Sequence, residues 1–168
     1  MGLSVPSCFK PVVGRFWRAT FQGQEARLLS PARAPNGRWH HDGENALYLS
    51  ATPEGCRVAV KAYQRPDDPP RVIFPLEVSA THIVDLCAPS VRDALGMSLE
   101  RIHVFWADLH AQGQFPPTWE ISDQLRAAGA EGMLTPSRSR PELTHLTLFR
   151  WNEDHAPAVR GTQNPIPF

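Results

Sequence analysis

The chain has 168 residues, enough to bury a substantial core in one domain spanning 1–168. Seventeen Lys+Arg balance seventeen Asp+Glu and no Lys/Arg-rich run occurs, which argues against direct nucleic-acid binding or an anionic membrane surface and leaves recognition to a local site. Seventeen prolines, about twice the usual share of about 5%, cut the chain into short elements.

In chain order, "VVGRFWRATF" (12–21) is rich in β-branched and aromatic residues and reads as a strand carrying Arg15 and Arg18. Residues 22–45 form a long connection, a length that in a compact domain signals function or disorder. "ALYLS" (46–50) is a short strand, and "TPEGCRVAVKAYQ" opens a helix with Thr52 as N-cap and Pro53 at the first helical position. "RVIFPLEVSA" and "HIVDL" read as two strands, "SVRDALG" as a short helix stopped by Gly96, and 99–112 as a helix. The spacing of Trp119, Ile121 and Leu125 predicts a helix over 119–128, capped by Thr118 and ended by Gly129. "GMLTP" and "THLTLFRW" are closing strands, the core covers about 12–151, and the polar, proline-interrupted segment 152–168 reads as a loosely docked tail.

GxxxxGK[ST], GxGxxG, HExxH and GxSxG are all missing, which sets aside the P-loop, Rossmann, zincin and hydrolase signatures. Cys8, Cys56 and Cys87 are odd in number and far apart, so they read as reduced thiols, with Cys56 a small core residue of its helix. Adjacent His40 and His41 point apart on a loop, and no metal site is expected. No apolar run approaches the roughly 18 residues of a membrane helix, and a soluble, cytoplasmic protein is expected.

"NGRWHHDGENALYLSATPEG" (36–55) crowds binding-capable side chains around one bend. Arg38 offers a planar fork suited to phosphate, Trp39 a flat face for stacking, and Tyr48 an aromatic face with a hydroxyl. Arg18, inside an apolar strand, must either reach solvent or meet an anion, because a buried unpaired charge costs several kcal/mol.

Taken in order, "RFWRAT", "QGQEARLL", "NGRW", "ALYLSATPEG" and "LRAAGAEGMLTPSRS" resemble the landmarks of the RES domain family over about residues 14–150. The resemblance implies an α+β fold similar to the ADP-ribosyltransferases, with small mixed or antiparallel split β-sheets and short flanking helices. It also implies a toxin of a toxin–antitoxin pair that degrades NAD+ by cleaving the nicotinamide–ribose bond, with water or phosphate as acceptor. NAD+ would be substrate, with no cofactor bound permanently, and the partner a helix-turn-helix, Xre-like antitoxin. Transfer of ADP-ribose to a macromolecule, or a weakened relative that only binds a nucleotide or partner, are the alternatives.

Carried over by residue, the family's strand arginine falls on Arg18, its turn arginine on Arg38 beside Trp39, its strand tyrosine on Tyr48, and the serine of its "PS" landmark on Ser137. Thr118 and Ser122 are candidates for the hydroxyl near the late helix. The family's glutamate, eleven residues past the tyrosine, is here Ala59. Glu54, which could equally be a capping-box residue of the first turn, is the nearest carboxylate, and Glu77 or Glu120 are more distant sources. An extra "SPARAP" lengthens the loop before "GRW".

Overall fold

The computed structural model describes residues 4–162 and 164–168. Seven strands and five α-helices follow in the order β1 (Phe9–Phe21), β2 (Leu47–Ser50), α1 (Pro53–Lys61), β3 (Arg71–Asp85), α2 (Pro89–Leu95), α3 (Leu99–His103), α4 (Trp106–Ala111), α5 (Pro117–Ala127), β4 (Gly132–Pro136), β5 (Thr144–Leu148), β6 (Ala158–Gly161) and β7 (Ile166–Pro167). The α+β class is as expected, but the split sheets are not. All seven strands join one mixed sheet ordered β1-β2-β5-β4-β3-β6, with β7 on β3. Because β1 also pairs antiparallel with nearly the whole of β3, strands β1, β2, β5, β4 and β3 close into a ring.

β3 replaces the two strands expected from the sequence, and the join is a bulge. Lys10 pairs with Ile83 and Val12 with Ala80, so Pro11 stands opposite both Thr81 and His82. Proline has no N–H to offer the ladder. The two extra amides find another acceptor instead: the buried Glu131 carboxylate takes Thr81 N–H at 2.8 Å and His82 N–H at 2.9 Å. Burial alone would raise the Glu131 pKa, and these bonds outweigh it and hold the carboxyl below its usual range.

The C-terminal segment is not the loosely docked tail that its polarity implied. β3 is long enough to leave an open edge beyond β4, and β6 pairs there with Leu76–Ser79 while β7 pairs with Val72 and Ile73. Asn152 supports the return: its side-chain amide donates to Val159 O at 2.9 Å and its Oδ1 accepts Val159 N–H at 2.7 Å.

Thr52 caps α1 as expected, its Oγ1 accepting Gly55 N–H at 3.0 Å. Glu54 does not complete a capping box, since the third helical position is Gly55. The helix expected over 99–112 is two short ones, broken where Val104 (ψ 145°) and Phe105 (ψ 97°) turn extended. α5 starts earlier than expected. Pro116 is its N-cap and Pro117 its first residue, so Thr118 lies within the first turn rather than capping it.

The two-residue period of the strands sorts side chains onto two faces. Leu47 and Leu49 of β2 and Leu146 and Leu148 of β5 enter a core with Phe16, Phe74, Leu76 and Ile83. Their neighbours Tyr48 and Ser50, and His145 and Thr147, therefore share the opposite face, paired Tyr48 with Thr147 and Ser50 with His145. A second core, including Val84, Leu86, Ile102, Ile121 and Leu125, packs the helices, and Trp39 from the long loop is buried in it. Each such side chain contributes about 1.5–3 kcal/mol, which makes Trp39 an anchor for the loop that carries it.

Candidate active site

α5 grips the 36–45 segment with one helical face. Trp119 Nε1 donates to Gly37 O at 2.7 Å, Asp123 meets His41 Nε2 at 2.8 Å, and Arg126 Nη2 donates to Trp39 O at 3.2 Å and Asn45 O at 3.0 Å. Positions i, i+4 and i+7 place these three side chains on the same stripe. His41 is held by carboxylates on both nitrogens, by Asp42 at 2.7 Å and Asp123, and stacks on the Trp119 ring at 4.9 Å. Burial lowers its pKa, and the bonds to Asp42 and Asp123 overcome this and raise it.

Inside the turn, the hydrogen bonds fix a tautomer. His40 Nε2 lies 2.8 Å from Ala34 O, which can only accept, so Nε2 carries the proton and Nδ1 accepts from the Tyr48 hydroxyl at 2.7 Å. That hydroxyl in turn accepts Trp39 N–H at 3.0 Å. Burial lowers the His40 pKa and raises that of Tyr48, so both stay neutral. Gly37 is required by this packing, because a Cβ there would lie 2.7 Å from His40 Nδ1 and 2.9 Å from the Tyr48 oxygen.

Over this turn and the polar face of β2 and β5 opens a cavity of about 650 Å³, a size typical of small-molecule sites. Four arginines line it, Arg18, Arg38, Arg71 and Arg138, and among the described residues no Asp or Glu does. Arg38 reaches it from the loop: Nη2 donates to Ile102 O at 2.6 Å, the guanidinium lies 4.8 Å over the Trp39 ring, and Nε is buried with no partner. Burial pulls the Arg38 pKa down to about 10, with the Arg138 charge adding to this against the favourable influence of Tyr63. It remains charged at neutral pH, and an anion in the cavity would relieve the cost. Arg138 lies 4.8 Å over the Phe105 ring and makes no ion pair among the described residues. Thr147 Oγ1 is a second buried polar atom facing this space without a partner.

Of the residues singled out from the sequence, Arg18, Arg38, Trp39, Tyr48 and Ser137 come together around this cavity. Arg18 also holds the connection that follows β1, its Nη1 donating to Leu28 O and Ser30 O at 2.5 and 2.8 Å. Burial brings its pKa to about 10. Trp39 is only 1% exposed, and Arg38 occupies a face of its ring. Thr118 and Ser122 are not part of the lining: both are fully buried in α5, with Ser122 Oγ donating to Trp119 O at 3.2 Å and Thr118 Oγ1 unpartnered. Nor is Glu54, which is exposed and bound to Arg140 at 3.1 Å. Glu77 pairs with Arg15 and Glu120 with Arg101, both outside the cavity. Ala59 stands in the cavity wall, so the position matched to the family's glutamate faces the site without a carboxylate. Cys56 is buried, and burial pushes its thiol up to about 11.

Glu54→Gln should therefore leave function within about twofold and lower stability by no more than about 1 kcal/mol, the worth of an exposed ion pair, as chemical denaturation would measure. A large functional loss at unchanged stability would place Glu54 at the reacting centre after all.

Sequence reasoning missed Ser50, His145, Thr147 and Arg138. The first three were available from strand alternation, since they flank the leucines of "ALYLS" and "THLTLF". Ser50 Oγ and His145 Nδ1 are 2.9 Å apart. Burial, reinforced by the charge of Arg38, pushes the His145 pKa down to about 4. Its folded-state value thus lies below the unfolded one of about 6.5, so the unfolded chain takes up the proton first as pH falls. Stability from the neutral imidazole is present above pH about 6.5 and is lost toward pH 4. His145→Gln is expected to reduce the difference in unfolding free energy between pH 7 and pH 4 by about 2–3 kcal/mol, measured by denaturant titration at both pH values.

No functionally curated protein matches the sequence. Among solved structures, the fold is similar to a chain described as "Crystal structure of the M.tuberculosis MbcT-MbcA toxin-antitoxin complex", with a TM-score of 0.59, 15% identity, and coverage of 95% of this chain and 86% of that one. At that identity the likeness establishes the fold. The RES domain model matches residues 15–168, from the strand that carries Arg18 through the sheet to the last strand on β3. The chain belongs to the RES domain family.

Proposed function

We propose that this protein is the toxin of a toxin–antitoxin pair and that it consumes NAD+ by breaking the bond between nicotinamide and ribose. The observation that carries the reading is the charge of the cavity: among the described residues, its volume of about 650 Å³ is lined by no carboxylate and by four arginines, of which Arg71 is paired with Asp68 at 2.8 Å while Arg18, Arg38 and Arg138 make no ion pair, with Arg38 Nε left without a partner. Such a site favours a ligand with several negative oxygens, and the pyrophosphate of a dinucleotide meets that need through charge-assisted, fork-shaped contacts. The aromatic side chains of Tyr48, Tyr63 and Trp106 line the same space and offer ring faces to a base. Membership of the RES family and a fold similar to a chain of a toxin–antitoxin complex support the biological role.

In the reaction, the C1′–N bond breaks with its electrons passing to nicotinamide, and an acceptor oxygen closes on C1′ as positive charge develops on the ribose. Arg18 and Arg38 hold the phosphates, which fixes the ribose relative to the acceptor. The acceptor is water or phosphate, and NAD+ is substrate with no resident cofactor required. An ADP-ribosyltransferase-like fold assignment agrees with this chemistry. The natural partner is an Xre-like, helix-turn-helix antitoxin acting in the cytoplasm. No helix among the described residues is long and apolar enough to cross a membrane.

Ala59 in the cavity wall favours a second reading, that of a relative which binds a nucleotide or its partner without turning NAD+ over. Incubating the purified protein with NAD+ and following nicotinamide release separates the two. Release with and without phosphate names the acceptor, and ADP-ribose found on protein instead of free would identify a transferase.

A further inference from the structure

We propose that His145, oriented by Ser50, is the base that takes the proton from an attacking water during NAD+ cleavage. The inference rests on the reading of the site as an NAD+-cleaving one and adds to it a group that its arginines do not supply.

The motivating facts are positional. Hydrogen phosphate attacks through an oxygen that carries no hydrogen, whereas cleavage by water releases one proton for every nicotinamide, since the acceptor loses an O–H hydrogen as its oxygen joins C1′. That proton needs a destination. Among the described residues no carboxylate lines the cavity, and every arginine there is already protonated. Tyr48 and His40 are spent on one another and on Trp39 and Ala34. Cys56 keeps its proton, because burial pushes its thiol up to about 11. The other polar groups of the lining are hydroxyls and an amide, which are far weaker bases, and His145 is the remaining imidazole.

Its surroundings suit the task. Ser50 is 97% buried and its Oγ sits 2.9 Å from His145 Nδ1, while Nε2 has no protein partner among the described residues. In the proposed tautomer Nδ1–H donates to the Ser50 oxygen, whose hydroxyl can serve as donor or acceptor, and the lone pair stands on Nε2. Cross-strand pairing of Ser50 with His145 fixes the two backbones, so the imidazole does not have to be ordered when substrate arrives. Burial keeps the ring neutral at physiological pH, with a pKa of about 4. A neutral imidazole of that value has roughly the basicity of a carboxylate without the charge, and it does not repel the cationic nicotinamide ring. A weak base is sufficient here, because the acceptor's hydrogen becomes strongly acidic once its oxygen bonds to an electron-poor C1′.

The balance is then complete. The C1′–N bond breaks and leaves neutral nicotinamide, the C1′–O bond forms, and the O–H proton moves to Nε2 and later to solvent. Ser50 acts as a positioning residue and His145 as the catalytic one.

The test is steady-state nicotinamide release from NAD+ by the purified protein in phosphate-free buffer. His145→Gln is expected to lower kcat by about 100-fold or more and to leave KM for NAD+ within about threefold. His145→Ala should behave alike and recover at least about tenfold when imidazole is added, a rescue that a purely structural histidine would not give. Ser50→Ala should lower kcat by about tenfold at constant KM, with Ser50→Thr restoring most of it. Turnover within threefold of wild type in His145→Gln, a loss confined to KM, or His145→Ala that imidazole does not rescue overturns the assignment while the NAD+ reading stands. Release by the wild-type protein only when phosphate is added overturns the base assignment while the NAD+ reading stands, and no release with or without phosphate overturns both.

Discussion

Arg38→Ala is expected to cut nicotinamide release by about 100- to 1,000-fold, the range seen when one preorganised donor is removed from a site that stabilises developing charge. Arg38 is the arginine most committed to the cavity. Its Nη2 is tied to Ile102 O, its face lies on the buried Trp39 ring, and its Nε has no partner, so it is already fixed and desolvated before any ligand arrives. Preorganisation of that kind is what separates a catalytic cation from a mobile surface arginine. Arg138, exposed and resting on Phe105, should matter less, with Arg138→Ala costing about tenfold and mostly in KM. In bacteria, induction of the wild-type protein should stop growth and lower NAD+, and Arg38→Ala should do neither at equal soluble expression. Because the variant also leaves Ile102 O unsatisfied, a stability loss of about 1–3 kcal/mol is expected, and the assay belongs well below its melting temperature. If Arg38→Ala turns over NAD+ within threefold of wild type, the arginine cluster does not hold the substrate.

What was legible in the sequence was local. Thr52, Pro53 and Gly96 punctuate helices where short-range chemistry says they should, and Arg18, Arg38, Tyr48 and Ser137 could be placed by ordered landmarks and do meet around one cavity. The failures share a different origin: each depends on a partner remote in the chain. Whether 71–85 is one strand or two depends on a bulge opposite Pro11 and on the carboxylate of Glu131, some fifty residues away. The polar tail looked unattached because the open edge of β3 that receives it is invisible from the tail's own composition. Closure of the sheet likewise rests on β1 and β3, whose nearest partners, Phe21 and Arg71, are fifty positions apart in the chain. His145 and Ser50 lay within reach of strand alternation, but their meeting required knowing that β2 and β5 are neighbours. The length of the 22–45 connection signalled function or disorder, whereas its second half is clamped by α5 and by the burial of Trp39.

Ala59→Glu is expected to raise nicotinamide release by about 10- to 100-fold. Ala59 lies on α1 in the wall of the cavity, at the position where the family resemblance calls for a glutamate. A carboxylate about 5 Å from a ribose that gains positive charge is worth about 3 kcal/mol at an effective dielectric near 20, and part of this will be offset by attraction to the neighbouring arginines. The fold should tolerate the change: the side chain is exposed, and glutamate is nearly as good a helix former as alanine. The comparison with Glu54 is informative, because that residue is on the same helix yet is engaged with Arg140 outside the cavity, so Glu54→Gln should do little. No gain in Ala59→Glu, at unchanged melting temperature, would mean that this wall does not face the reacting carbon. The double variant decides what the carboxylate does. If Glu at position 59 and His145 both serve as the proton acceptor, Ala59→Glu should recover most of the loss in His145→Gln. If the carboxylate steadies the cationic ribose while the imidazole takes the proton, the two effects should multiply, because independent contributions to one transition state add in free energy.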